Sequence, residues 1–198
     1  MTNSSLNTGR SKQKQLTRQN ILRTTQKLLE QQTPLTLEEV AQAAGISRAT
    51  IYRYFSNIDV LYSEASLDLV THSTASIFKD IEHLSVVDRI LHIQSYFNKL
   101  ALRNEMAFRT YLSIYLKESE TAKSTRGSRR TAALKLAIQP YRHQIPKKDY
   151  QKLITVATAL MGIEPFVVGK DVCGLTSEET EKHLNWGLKT ILETVFKP

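Results

Sequence analysis

The sequence predicts an all-α protein, with a small three-helix unit near the N-terminus and a larger helical domain behind it. Apolar residues recur every three or four positions along successive segments, the spacing of one helix face rather than the alternation of a strand. Gly (7) and Pro (5) are few in 198 residues, and β-branched alternation is scarce. Helix-start pairs stand at intervals, with Thr36 before Glu39, Ser85 before Asp88 and Thr176 before Glu179. A hydrophobic content of 41% is enough for a real core.

Residues 1–15 carry Arg10, Lys12 and Lys14 and no acid, so a basic disordered tail is expected there, or an arm that orders on a polyanion. Thr17 to Gln32 reads as the first helix, with Ile21, Leu22, Thr25, Leu28 and Leu29 inward. Pro34 ends the connection, and Thr36 opens a short helix whose Leu37, Val40, Ala41 and Ala44 share a face. Gly45 supplies a left-handed turn. Ser47 then caps a second short helix with Ile51 and Phe55 inward and Arg48, Thr50, Tyr52 and Arg53 outward or flanking. Ser56 with Asp59 is expected to cap a fourth helix running to about Ile81, a mechanical link between the two parts. Helices follow over 85–103 and 105–119, then a polar loop from Thr121 to Arg130, then a helix from Thr131 to His143. Two long helices close the chain, Lys147 to about Gly169 and another from the Thr176 cap. The expected division is 1–15, 16–62 and 63–198.

Two short capped helices joined at a Gly, with the small Ala41 where they cross, match the arithmetic of a helix-turn-helix, whose second helix enters a DNA major groove. An ordinary helical hairpin in a core would place apolar residues where Arg48, Thr50 and Arg53 stand. Arg48 and Arg53 suit guanine edges, which a planar two-point donor fits. Thr36, Ser47, Ala49, Thr50, Tyr52 and Tyr54 complete the candidate DNA-binding set, mostly toward phosphate.

The run GISRATIYRYFSN after TLEEVAQAA resembles the N-terminal DNA-binding domain of the TetR (tetracycline-repressor) family, which ends its reading helix in an aromatic-rich motif, here Thr50, Tyr52, Tyr54 and Phe55. The resemblance covers about residues 16–62. It implies a homodimeric repressor released from a palindromic operator by a small-molecule effector; a DNA-binding regulator or chromosome-organising protein of the same fold without an effector is the alternative. The family's usual Lys after the Phe is missing, since Asn57, Ile58 and Asp59 stand there.

Tyr96, Phe97, Phe108, Tyr111 and Tyr115 cluster on adjacent predicted helices as candidates for an effector pocket, the other reading being aromatic core. Leu153, Ala157, Leu160, Met161, Leu184, Leu188, Ile191 and Val195 on the last two helices are the candidate dimer interface, the other reading being monomer core. Lys123 to Lys152 holds nine Lys or Arg and one acid, a solvated face or a site facing an anion.

A net charge of +8 favours a polyanionic partner. The lone Cys173 forms no internal disulfide, and there is neither an N-terminal apolar run nor an apolar stretch of the ~18 residues a membrane span needs. A cytoplasmic protein is therefore expected. The five His are scattered and no nucleophile or phosphate-loop motif is present, so no metal, cofactor or catalytic residue is expected.

Overall fold

The computed structural model describes residues 3–30, 34–69, 74–79, 81–118 and 129–196. Among these there are α-helices and no strand. In chain order they are α1 (Asn3–Leu29), α2 (Leu37–Ala43), α3 (Arg48–Tyr52), α4 (Ile58–Leu69), α5 (Thr74–Lys79), α6 (Val86–Arg103), α7 (Glu105–Glu118), α8 (Arg129–Ile138), α9 (Lys147–Ala159), α10 (Ile163–Val167) and α11 (Ser177–Val195). The chain forms two compact units. The first holds α1–α4 and α7 from Arg109 onward; the second holds α5, α6, α7 up to Phe108, and everything from α8. These units group α4 and most of α7 with the N-terminal helices, across the boundary expected at residue 62.

In the first unit, Ile21 and Leu22 of α1, Val40 and Ala41 of α2, Ile51 of α3, Phe55, and Val60, Leu61 and Ala65 of α4 close one core. Ile114 and Tyr115 of α7 pack against it. Two expectations are corrected here. The disordered tail over 1–15 is instead helical backbone from Asn3, continuous with the docked part of α1; extending a nucleated helix costs far less than starting one. The fourth helix starts at Ile58, with Asn57 Oδ1 accepting the Val60 N–H at 2.9 Å, one residue after the Ser56 start. The expected continuation of this helix to about Ile81 passes through residues 70–73, which lie outside the described residues, with α5 on the far side.

The core of the second unit gathers Ile90, Ile93 and Phe97 of α6, Leu134 and Ala137 of α8, Leu153, Ile154 and Ala157 of α9, and Leu188 and Leu192 of α11. Four of the proposed interface residues, Leu153, Ala157, Met161 and Leu188, are thus buried within the chain's own core, and Leu160, Leu184, Ile191 and Val195 are half-buried. The buried members of this apolar stripe pack with α6 and α8 in one core, while the half-buried ones keep part of their surface open. The apolar side chains left exposed on these last elements are Val156, Val168, Val172 and Trp186.

The long helix expected over 147–169 is broken. α9 ends at Ala159 and α10 begins at Ile163, with a bend of 54° between Lys147–Ala159 and Ile163–Val172. The cause is chemical. A continuous helix would bond the Met161 carbonyl to the N–H of residue 165, which is proline and has none. Arg130 Nη1 donates to that carbonyl instead, while its guanidinium also grips Glu164 at 2.8 and 2.9 Å. Gly162 takes φ +89°, and its N–H donates to the buried Asn98 Oδ1 at 2.9 Å. The basic run therefore spends Arg130 on internal structure. α8 begins at Arg129, two residues ahead of the expected Thr131, and Pro140 turns the following residues 139–144 into a 3₁₀ segment. Except for residues 129 and 130, the expected 121–130 loop lies outside the described residues. No described helix is by itself long and apolar enough to cross a membrane.

Candidate nucleic-acid interface

The reading unit is assembled from local rules that reinforce one another. Thr36 Oγ1 accepts the Glu39 N–H at 3.2 Å, and Glu39 Oε2 accepts the Thr36 N–H at 2.7 Å, closing a capping box that starts α2. The connection before it is pinned by Tyr62, whose hydroxyl accepts the Leu35 N–H at 2.6 Å. Gly45 follows α2 at φ +68° with open space around its missing Cβ, so the turn requires its conformation rather than its size. Ile46 N–H returns to the Ala41 carbonyl at 3.0 Å, and Asn20 Nδ2 donates to the Ala44 carbonyl at 3.0 Å, tying the turn to α1. Ser47 Oγ accepts the Thr50 N–H at 3.1 Å and begins α3.

α3 has two opposed sides. Ile51 and, just beyond the helix, Phe55 are fully buried. Ser47, Arg48, Ala49, Tyr52 and Arg53 are exposed, as is Thr36 at the start of α2. Thr50 and Tyr54 are half-buried, Thr50 sharing a hydrogen bond with Ser47 and Tyr54 packing against the core. Arg53 Nη2 reaches Thr50 Oγ1 only at 3.4 Å, a long contact that leaves the group free to turn outward.

Two acids shape this unit, Glu38 at the surface and Glu64 in the interior. Glu38, in the first turn of α2, accepts the Tyr52 hydroxyl at 3.0 Å and Arg48 Nε at 2.9 Å. Its own backbone N–H, the Tyr52 hydroxyl and the Arg48 charge hold its carboxyl below the usual carboxylate range. Tyr52, expected to donate to a phosphate, donates its hydroxyl hydrogen bond to Glu38. Glu64 of α4 pairs with Arg18 of α1 through Nε at 2.7 Å and through Nη2, and Arg18 Nη1 leans toward the Tyr54 carbonyl at 3.4 Å. Arg18 Cζ also lies 4.6 Å from the centroid of the Phe55 ring, so a buried ion pair clamps the end of the reading helix. Only Glu38 carried a sequence signal, as the first-turn acid of α2 that the cap does not use.

The aromatic candidates fall in both units. Tyr96 and Phe97 stack edge-on at 5.1 Å in the second unit's core. Tyr111 is buried in the first unit, its hydroxyl donating to Glu64 at 3.3 Å with Tyr115 beside it. Phe108 is half-buried. Sequence adjacency grouped them, but α7 turns its Tyr111 end to a different core. No cluster of metal-ligating side chains occurs among the described residues.

Residues 21–65 match the family model for bacterial regulatory proteins of the tetR family. The match takes in the docked part of α1, all of α2 and α3, and most of α4. No curated protein and no solved structure matches the chain.

Proposed function

We infer that this chain, which carries a tetR-family N-terminal DNA-binding domain at residues 21–65, is a homodimeric transcriptional regulator reading a palindromic operator. The family is one of DNA-binding regulators rather than enzymes, so the chemistry lies in recognition. One observation carries the reading. α3 sets Arg48, Tyr52 and Arg53 in solvent on a rod whose other side is locked by Ile51 and Phe55. Arg48 and Arg53 are assigned to base edges, and Thr36, Ser47, Ala49, Thr50, Tyr52 and Tyr54 to the surrounding contacts. One five-residue helix offers too little surface for specific binding, and a two-fold pair doubles it. The exposed Val168, Val172 and Trp186 of the second unit are apolar surface that one copy leaves open.

The sign of regulation is repression, lifted when a small molecule favours a dimer whose reading helices no longer fit successive grooves. The second reading keeps DNA binding without a small-molecule effector. It is favoured by the packing of Tyr96 and Phe97 in the core of the second unit and of Tyr115 against the core of the first, the aromatic-core reading of those candidates. Selection from a random duplex pool tests the shared part. Wild-type protein is expected to enrich a symmetric site, and the R48A/R53A double variant to stay folded and lose that enrichment. Each two-point arginine contact is worth ~1–3 kcal/mol of base discrimination. Undiminished selectivity in the double variant refutes the assignment.

A further inference from the structure

Arg48 is the first residue of α3, and 75% of its side chain is exposed. Its guanidinium is nevertheless held. Glu38 Oε1, one helix away, accepts Nε at 2.9 Å, and the same oxygen accepts the Tyr52 hydroxyl at 3.0 Å. The Tyr52 ring centroid lies 5.7 Å from Arg48 Cζ. A guanidinium is a flat fork with five N–H donors. Engaging it through Nε leaves the two terminal amino groups, a pair spaced to meet O6 and N7 of one guanine. A carboxylate on a surface meant for phosphates weakens binding to every duplex alike, so its place against Arg48 needs a compensating role.

We propose that Glu38 is a positioning residue for base reading. It fixes Arg48 by its Nε edge and Tyr52 by its hydroxyl, so that the terminal amino groups of Arg48 face a guanine without first being ordered. The proposal rests on the DNA-reading assignment above and adds to it that discrimination at one base pair depends on a residue of α2. Affinity for unrelated DNA is given up in exchange.

The test uses the full chain as wild type, R48A, E38A and E38Q. Base preference is read by sequencing a selected random pool, and affinity by fluorescence anisotropy on the best duplex and on an unrelated one at a single salt concentration. E38A is expected to lose roughly ten-fold or more of the discrimination at the same base pair that R48A affects. Its affinity for the unrelated duplex is expected to hold or rise. E38Q, whose amide oxygen still accepts both bonds, is expected to retain most of the preference. An E38A protein that binds all duplexes more tightly with an unchanged preference overturns the proposal, since Glu38 then acts by repulsion alone. A change at a base pair different from that of R48A also overturns it, since Glu38 would then touch a base itself. A wild-type protein without any sequence preference sinks the DNA-reading assignment, and this one with it.

Discussion

Truncating Glu64 to Ala asks how firmly the reading unit is held together. Arg18 and Glu64 keep 17% and 11% of their side chains exposed, and two hydrogen bonds join them. Burial acts to lower the pKa of Arg18, but the hydrogen bond and charge of Glu64 outweigh it and leave it raised. Once Glu64 is gone, that burial is offset only by weaker partners, the long contact to the Tyr54 carbonyl, the Phe55 ring and the nearby Tyr111 and Tyr115. Stripping one member of a buried pair costs ~3–5 kcal/mol, and partial exposure sets this case near the lower figure. The Tyr111 hydroxyl loses an acceptor as well, adding about 1 kcal/mol at most. With a urea dependence of ~2 kcal/mol per molar, the first unit should unfold at a concentration lower by roughly 1.5–2 M. Far-UV circular dichroism of the full chain follows this loss, while the single tryptophan, Trp186 of α11, reports on the second unit. Replacing both partners by apolar residues, as R18M/E64L, should be milder than E64A alone. A shift under about 0.5 M for E64A refutes the reasoning, because the apolar core would then be holding the unit without help from the pair.

A Cβ added at Gly169 would sit 2.4 Å from Thr180 Cγ2 and 2.5 Å from its Oγ1, so G169A should cost ~1–3 kcal/mol in thermal unfolding of the second unit. G169A/T180A, which deletes both clashing atoms, should recover most of that loss, and no recovery would reject the steric cause. Trp186 is 72% exposed, and W186D should convert the proposed dimer to a monomer in sedimentation velocity with unchanged circular dichroism. A wild-type protein that sediments as a monomer at micromolar concentration rejects the dimer outright.

What was legible in the sequence is what short-range rules determine. Thr36 with Glu39, Gly45, Ser47, Ser85 and the Thr176–Glu179 box each act within a turn of the chain, and each stands in the structure in the part that its residue type dictates. The same holds for Ile51 and Phe55 inward and Arg48 outward. Illegible were the features that depend on which faces meet. Arg18 and Glu64 are 46 residues apart, and nothing near either names its partner. Leu153 and Leu188 advertise an apolar face without saying whether α6 or a second copy covers it. The division of the aromatics had no signal, because helical spacing gives direction around an axis and not the axis's neighbours. The break at Gly162 could have been found. Pro165 removes the donor owed to the Met161 carbonyl, a break that apolar periodicity over 147–169 does not register.

α3 spans five residues, less than half the length at which a peptide helix holds its own shape in water. It is a rod only while Ser47 and its hydroxyl open it and the floor formed by α1, α2 and α4 receives Ile51 and Phe55. Loosening that floor should therefore displace Arg48 and Arg53 without touching them, and with them the base reading proposed above. A switch acting on this protein has no need to reach the groove; it suffices to soften the ground on which the reader stands.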